Sequence, residues 1–246
     1  MTRTRAICAA LACGLSLAAA ATLYAAEEKG PVGLWKFDGD PSAVLKDSSG
    51  NGNDAKFSHE NHPDITSVPG KSGNGLEFKG EIKGSGVIVP GFCKKYNFFP
   101  KGLTIETWIK FSDPIVSKWQ MDIVSNGSGD MGKGFRLKYG GQWLYLITGD
   151  GTKTWGTHQN EIKYPFKPSV WYFIAAVYDG ESFKIYIDGE LAGTPTKGEL
   201  PQGMDDLYIG CYKGGYAYRF IGIIDEVKVY DYARTDAQIL SDARTE

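Results

Sequence analysis

Acidic residues interrupt two apolar stretches of this 246-residue chain, and most glycoside-cleaving sites are built from two carboxyl groups. Asp225 and Glu226 lie in IGIIDEVKVYDY, with Asp231 close behind, and Glu106 lies in LTIETWIKF. A retaining enzyme holds its two carboxyl groups roughly 5 Å apart. Adjacent residues of a strand face opposite sides, so Asp225 and Glu226 do not form such a pair. Catalysis, metal binding and a solvated strand edge remain three open roles for them.

The histidines give little support for proton-transfer chemistry. His59 and His62 lie in an early polar segment, and His158 lies in TWGTHQN. His158 with Tyr164 or Tyr216 could abstract a proton, but a single loop histidine is more often a surface or hydrogen-bonding residue. The chain has no Ser-His-Asp spacing, nucleophile elbow or phosphate-binding loop. Catalysis is therefore the less favoured interpretation.

Aromatic residues in Gly-rich segments favour binding instead. Sugars have apolar C–H faces and rings of hydroxyls, so their sites combine aromatic platforms with a few polar groups. Trp119, Trp155 and Tyr216 lie in polar, turn-like segments, and Arg136 and His158 lie near them in sequence. These five residues are the predicted ligand-binding set. The alternative is that the rings pack beneath long loops.

Short strand-like runs separated by Gly/Asn/Asp/Ser clusters must position these side chains. The 32 glycines supply positive-φ turn positions, and Val, Ile, Tyr, Phe and Trp supply pleated surfaces. The pattern predicts an all-β antiparallel sandwich. It places Trp108 where it could line the open side of a sheet. One helix is predicted over residues 235–243, with Thr235 as N-cap and Gln238 completing a capping box.

The N-terminal residues 1–26 have the features of an export signal, and residues 27–246 form one predicted domain. Arg3 and Arg5 precede an Ala- and Leu-rich run that ends in small residues. An uncleaved anchor or a lipid at Cys13 are the alternatives. We therefore expect a secreted, periplasmic or cell-surface protein with no membrane span after signal cleavage. The net charge of -2 gives no reason to expect a nucleic-acid or anionic-membrane partner.

Two cysteines, Cys93 and Cys211, remain once the signal is removed. In an oxidising compartment they could form a disulfide, and the alternative is two separately buried thiols. Their spacing matches no zinc motif.

The order of the strand and turn segments resembles the laminin-G-like jelly rolls of the concanavalin A-like lectin/glucanase superfamily. The resemblance covers the whole mature length, through GLWKFDGD, DSSGNGNDAKF, GKSGNGLEFKG, LTIETWIKF, WYFIAAVYDGESFKIYIDGELAGT, LYIGCYKGG and FIGIIDEVKVYDYARTDAQI. It implies two curved antiparallel sheets with the first and last strands adjacent. It implies no single activity, because lectins, adhesion modules and hydrolases share this fold.

The resemblance also implies a structural calcium ion where the N-terminal loop meets the last strand. The matching residues are Asp38, Asp47, Asn51 and Asp225. Calcium takes six to eight oxygen ligands, which such a loop can offer. The same residues also form good turns or hydrogen-bonded caps without a metal.

The resulting prediction is a non-catalytic module that recognises a glycan or a glycosylated cell-surface partner. The alternatives are a polysaccharide-active hydrolase or lyase on the same fold, and an adhesion protein that does not bind glycans.

Overall fold

The structure is a computed structural model that describes residues 29–40, 43–59, 64–80, 85–96, 98, 102–115, 120–127, 133–156, 162–213 and 218–245. For residues 155 and 156 it describes only the backbone. The predicted export signal, residues 1–26, lies outside these ranges.

The described residues form sixteen strands and two helices. The first part of the chain contains β1 (Gly33–Trp35), β2 (Lys56–Phe57), β3 (Ile65–Pro69), β4 (Asn74–Phe78), β5 (Val87–Val89), α1 (Phe92–Lys95), β6 (Leu103–Phe111), β7 (Met121–Ser125) and β8 (Gly134–Gly140). The second part contains β9 (Trp143–Gly149), β10 (Thr154–Gly156), β11 (Ile162–Lys163), β12 (Trp171–Tyr178), β13 (Ser182–Ile187), β14 (Glu190–Lys197), β15 (Leu207–Ile209), β16 (Gly222–Tyr230) and α2 (Asp236–Thr245).

The strands form two antiparallel sheets, which confirms the predicted sandwich. Sheet A has the order β14-β13-β12-β6-β16-β4-β3, with β1 also paired to β16. Sheet B has the order β10-β9-β8-β7-β15-β5-β2, with β11 also paired to β9. The first and last strands are neighbours, because Gly33 pairs with Val229 and Trp35 pairs with Val227.

The core lies between the sheets and follows from the alternation of apolar residues along the strands. In β8, Phe135, Leu137 and Tyr139 enter the core, while Arg136 and Lys138 face the opposite side. In β13, Phe183 and Ile185 also enter the core. Trp35 is fully buried, and its ring nitrogen donates to the carbonyl oxygen of Asn53 at 3.0 Å.

A second apolar cluster covers the outer face of sheet A, where α2 packs on it. Its buried members are Trp108, Phe173, Ala175, Val177, Tyr186 and Ile239. Trp108 is only 6% exposed, with the Lys71 ammonium 3.9 Å from its ring centroid. The prediction that Trp108 lines an open surface is therefore wrong: the ring faces outward from the sheet but is covered.

The capping box predicted for the C-terminal helix is confirmed. The Thr235 backbone N–H donates to Gln238 Oε1 at 2.8 Å, and the Gln238 N–H donates to Thr235 Oγ1 at 3.3 Å. The Tyr186 hydroxyl donates to Asp236 Oδ1 at 2.7 Å, which ties the first turn of α2 to sheet A.

Strand β16 contains a bulge at the acidic pair. Its register against β6 shifts between Asp225 and Lys228, and Glu226 has φ of 49°. Asp225 and Lys228 consequently pair with Trp108 and Glu106, which share one face of β6. The strict alternation assumed from the sequence fails here. The solvated-edge role fails too, because Asp225 is fully buried.

The β3–β4 turn approaches the end of β1 so closely that it requires glycine. Gly73 has φ of +57°, and a Cβ on it would fall on Asp38 Oδ1. By contrast, a Cβ on Gly50, with φ of +84°, would meet no atom within 4 Å. Both positions need a positive φ, but only Gly73 lacks room for a Cβ atom.

We expect Gly73→Ala to destabilise the protein more than Gly50→Ala. A positive φ costs a non-glycine residue about 1–2 kcal/mol at either position. At Gly73 the clash with Asp38 adds about 1–3 kcal/mol of overpacking. Urea unfolding of both variants measures the difference, and equal losses of stability would show that the close approach is absent.

Candidate functional site

The outer face of sheet B carries polar and aromatic side chains that strand alternation keeps out of the core. Arg136 and Lys138 of β8 lie on this face, opposite Ile147 and Tyr145 of β9. On the other side of β8, Asp122 pairs with Lys138 and Ser125 pairs with Arg136. A polar row therefore crosses adjacent strands without entering the apolar interior.

Arg136 and Asp122 form a buried bidentate ion pair at the centre of this face. Arg136 Nε donates to Asp122 Oδ2 at 2.9 Å, and Nη2 donates to Oδ1 at 2.6 Å. The side chains are 2% and 0% exposed. Burial raises the pKa of the Asp122 carboxyl, and the guanidinium opposes that shift. Removing either partner would leave a buried charge uncompensated.

Two tyrosines stack on the Arg136 guanidinium. Its carbon lies 5.0 Å from the Tyr212 ring centroid and 4.5 Å from that of Tyr218, and the two rings meet edge to face at 5.6 Å. Tyr212 and Tyr218 are close to the two ends of the segment that contains Tyr216. The rings that cover the ion pair therefore come from the chain on either side of residues 214–217.

A second polar group lies beside half-buried aromatic rings near the edge of sheet B. The Lys138 ammonium donates to Gln120 Oε1 at 2.8 Å and lies 5.6 Å from the Tyr145 ring centroid. Trp143, two residues before Tyr145, shares its face of β9 and is also half-buried. Gln120 is half-buried as well. The arrangement places hydrogen-bonding groups next to ring surfaces that solvent partly reaches.

Only part of the predicted ligand-binding set can be located. Arg136 is on the outer face of sheet B, with 1% of its surface exposed. Trp155 lies in β10, with its backbone paired to Thr148. Trp119, His158 and Tyr216 lie outside the described residues. Sequence analysis missed Asp122, Lys138 and Gln120, although polar residues alternating with apolar ones in FRLKY signal a second, non-core face.

Asp225 reaches from the β16 bulge into the β3–β4 turn. Its Oδ2 accepts from the backbone N–H groups of Lys71 and Ser72, at 2.7 and 3.1 Å. Its Oδ1 accepts from the N–H of Glu226 at 2.8 Å. Its own carbonyl oxygen accepts from Thr107 Oγ1 at 2.9 Å. One side chain thus connects the last strand, the turn and the bulge.

Asp38 joins Asp225 at the same turn. Asp38 Oδ1 accepts from the backbone N–H of Asn74 at 2.8 Å. Burial raises the pKa of Asp225 to about 6, backbone hydrogen bonds oppose the shift, and the Asp38 charge adds to it. The structure therefore brings together Asp38 and Asp225 of the predicted calcium set.

Asp47 and Asn51 make their contacts within their own loop and with the start of β1. Asp47 Oδ1 accepts from the N–H groups of Leu34 and Ser49, and Oδ2 accepts from that of Asn53. The Asn51 side chain donates to the carbonyl oxygen of Pro31 and to Ser49 Oγ. Among the described residues, no group of three or more His, Cys, Asp and Glu side chains is placed to hold a metal ion.

Cys93 and Cys211 are free, buried thiols, which is the second of the two alternatives raised from the sequence. Cys93 lies in α1 with its thiol against the Asn126 side chain, and Cys211 follows β15. Burial raises the pKa of the Cys93 thiol and keeps it protonated, which disfavours oxidation.

Glu106, the acidic residue of LTIETWIKF, lies beneath the C-terminal segment. It is fully buried, with Arg234 Nε 3.2 Å from its Oε1. Arg234 Nη2 also lies 3.2 Å from Asp242 Oδ1, and the Lys228 ammonium lies 3.5 Å from Asp242 Oδ2. Burial raises the pKa of Glu106 to about 9, Arg234 opposes the shift, and Asp242 adds to it. These contacts support the docking of α2.

A family model described as the concanavalin A-like lectin/glucanases superfamily matches residues 84–240, more than half of the chain. The chain belongs to this superfamily. The match begins after the segment that carries Asp38, Asp47 and Asn51, and it includes Asp225, Arg136 and both cysteines.

Solved structures similar to this superfamily member include one domain of an arabinanase and the binding domains of neurotoxins. Domain 4 of AbnA, a GH43 extracellular arabinanase from Geobacillus stearothermophilus, in complex with arabinotriose, has a TM-score of 0.62 at 20% identity. The match covers 89% of this chain and 100% of that domain. At this identity the likeness shows the fold.

The second kind is the binding domain of botulinum neurotoxins. The receptor binding domain of the C/D mosaic serotype has a TM-score of 0.63 at 14% identity, covering 88% of this chain and 51% of that one. The serotype D ligand binding domain in complex with N-acetylneuraminic acid has a TM-score of 0.62 at 14% identity, with coverages of 88% and 51%. This superfamily member thus spans about half the length of those domains.

A segment of human pappalysin-1 is 34% identical over 88 residues, which is 32% of this chain and 5% of that protein. The chain therefore spans a small fraction of that relative. Within the part of the chain that the structure describes, no helix is long and apolar enough to cross a membrane.

We expect the stability of the protein to fall as pH rises from about 6.5 to about 8.5, because folded Glu106 retains a proton that the unfolded chain has lost. Its pKa of about 9 in the folded state lies above the ordinary 4.5, so stability decreases between those two values. Glu106→Gln mimics the protonated form and removes this decrease.

Urea midpoints measured across this pH range test the prediction, with the exposed Glu181→Gln as the matched control. Parallel pH profiles for the wild type and Glu106→Gln would contradict it.

Proposed function

We propose that the chain is a non-catalytic carbohydrate-recognition module and that its ligand binds the outer face of sheet B. The observation that carries the proposal is the cluster of Lys138, Gln120 and Tyr145, with Trp143 on the same face. A ring that solvent partly reaches can stack on a sugar C–H face, and the half-buried Gln120 amide, which the buried Lys138 ammonium holds in place, can bond its hydroxyls.

Arg136 has a positioning role in this proposal. Its guanidinium is engaged by Asp122 and covered by Tyr212 and Tyr218. It holds these two rings in place and leaves contact with the sugar to other side chains. Trp119, Trp155, His158 and Tyr216 remain proposed ligand contacts.

The comparisons support a carbohydrate as the ligand class. The arabinanase domain that is covered along its whole length was solved with arabinotriose, and one neurotoxin domain with N-acetylneuraminic acid. With the export-signal features of residues 1–26, they favour a module that acts outside the cytoplasm. Its proposed partner is a glycan or a glycosylated cell-surface molecule.

A glycan array probed with residues 27–246 tests the ligand class, and titration with a retained glycan tests the site. We expect Tyr145→Ala to weaken binding about tenfold through loss of the stacking surface, while Tyr145→Phe, which keeps the ring, retains most of it. Unchanged binding by Tyr145→Ala would move the site away from this face. An empty array, or release of reducing ends or unsaturated products from polysaccharides, would overturn the proposed function.

We also propose that Asp38 and Asp225 hold a structural calcium ion. Two carboxylates meet at one turn, and burial together with Asp38 raises the pKa of Asp225, so a divalent cation would relieve unfavourable charge there. Carboxylate and backbone oxygens are the donors that calcium prefers. The side chains of Asp47 and Asn51 bind within their own loop and to the start of β1, so we assign them the role of shaping that loop and not of binding the ion.

Removing calcium with a chelator should lower the thermal midpoint of the wild type, because an ion that binds only the folded state stabilises it by about 2.7 kcal/mol at 100 times its Kd. Asp225→Ala should melt at the same temperature with and without chelator.

Asp47→Ala is the matched control. It loses three accepted hydrogen bonds and is destabilised, but it should keep the chelator-dependent difference. An unchanged wild-type midpoint, or a difference that survives Asp225→Ala, would reject the calcium site.

A further inference from the structure

Two adjoining cavities open at the end of the sandwich where sheet B meets the β13–β14 turn. The larger, of about 490 Å³, is lined by Ile115, Tyr139, Gln142, Lys163, Tyr164 and Phe166, among others. The smaller, of about 340 Å³, shares Lys163 and Tyr164 and extends to Asp188, Glu190 and Leu191. Each volume falls within the range of roughly 300–1,000 Å³ that is typical of small-molecule sites. We call the combined cavity the rim groove.

A network of aromatic rings forms the wall of the rim groove. The Tyr164 and Phe166 centroids lie 4.8 Å apart, and Phe166 meets Tyr139 and Tyr172 edge to face at 5.7 and 4.8 Å. The Tyr172 hydroxyl accepts from the backbone N–H of Lys167 at 2.9 Å. Tyr139 and Tyr172 are buried, whereas Tyr164 and Phe166 are half-buried. The exposed sides of these two rings are therefore held in place by a fixed layer beneath them.

Polar groups of both signs surround these rings. Gln142 is exposed at one end of the groove, and Asp188 and Glu190 are exposed at the other. The exposed Lys163 lies where the two cavities meet. Burial raises the pKa of the Tyr164 hydroxyl, and the charges of Asp188 and Glu190 add to the shift, so the hydroxyl remains a donor. Donors and acceptors on either side of an aromatic surface match the alternating hydroxyls of a sugar.

Leu191 extends the apolar floor of the groove into solvent. Its surface is 44% exposed, and it is one of two large hydrophobic side chains among the described residues with substantial exposure. It lies at the start of β14, the edge strand of sheet A. An apolar side chain at the open end of a ring-lined cavity suits a ligand with C–H faces.

We infer that the rim groove binds a neutral oligosaccharide of two or three units, as a site separate from the outer face of sheet B. Tyr164 and Phe166 supply the stacking surface, Lys163 and Gln142 donate to sugar oxygens, and Glu190 accepts from hydroxyls. An acidic sugar is disfavoured, because it would meet two carboxylates at one end of the groove. The inference rests on the proposed function and adds to it a second site and a ligand class.

The groove borders the outer face of sheet B at one pair of residues. Lys163 pairs with Trp143 in the β11–β9 register, and its ammonium lies 5.8 Å from the Trp143 ring centroid. A longer glycan could therefore continue from one site to the other around the edge of β9.

Calorimetric titration with arabinotriose, xylotriose, cellotriose and maltotriose tests the inference, with trigalacturonic acid as the anionic comparison. For the trisaccharide that binds best, Tyr164→Ala should weaken binding about tenfold, while Tyr164→Phe keeps the ring and retains it. Glu190→Gln, at an exposed position, should weaken binding about threefold by removing a charged acceptor. Thermal midpoints of the three variants check that each is folded.

Two outcomes separate this inference from the proposed function. If glycans are retained on the array but Tyr164→Ala and Glu190→Gln bind the trisaccharides like the wild type, the rim groove is overturned and the module remains. The same holds if no neutral trisaccharide binds, or if trigalacturonic acid binds most tightly. If the array is empty, the proposed function and the rim groove fall together.

Discussion

One edge of strand β16 pairs with two strands, β4 and β1, and a short stretch of β16 that is unpaired on this edge separates the two pairings. Strand β6 occupies the other edge, so β4, which pairs with residues 222–224, and β1, which pairs with residues 227–229, must lie end to end. The gap falls at Asp225 and Glu226. There the chain forms a bulge, and the Asp225 carboxylate binds backbone N–H groups of the β3–β4 turn that no strand satisfies. The last strand and the β3–β4 turn are joined through this gap.

This junction explains why small and acidic residues meet at one point. A backbone that must pass close to a carboxylate needs glycine, and Gly70 and Gly73 approach Asp225 and Asp38 without room for a Cβ. Burial raises the pKa of Asp225, and the neighbouring Asp38 charge adds to the shift. The same contacts that close the sandwich therefore bring two acidic side chains to one turn.

The two outer faces of the sandwich differ in what covers them. On sheet A, α2 packs on the cluster that contains Trp108, Phe173 and Tyr186. The buried Glu106 and Arg234 lie beside it, and Arg234 also contacts Asp242 of α2. On sheet B, the side chains on the outer face are mainly polar or aromatic, and Tyr145 and Trp143 keep part of their surface in solvent. An aromatic surface with neighbouring polar groups can exchange water for a sugar at low cost, whereas the apolar face of sheet A is already occupied by the chain itself.

Local patterns in the sequence were sufficient for the sandwich class and the capping box at Thr235, because period-two alternation, turn residues and cap chemistry act over a few residues. The resemblance supplied the adjacency of the first and last strands and the meeting of Asp38 with Asp225. It offered Asp47 and Asn51 as further ligands, and only the structure shows that their side chains bind their own loop and the start of β1.

Only the tertiary structure decided the bulge at Glu226, the burial of Glu106 beneath α2 and the ion pair of Arg136 with Asp122. Each depends on residues far apart in the chain and on the register between strands. A single inserted residue changes which side chains share a face, and no local pattern marks it. The sequence by itself determined that the chain forms short antiparallel strands in a sandwich. The environment of each polar side chain was determined by how those strands pair, because burial and hydrogen bonding arise only when distant segments meet.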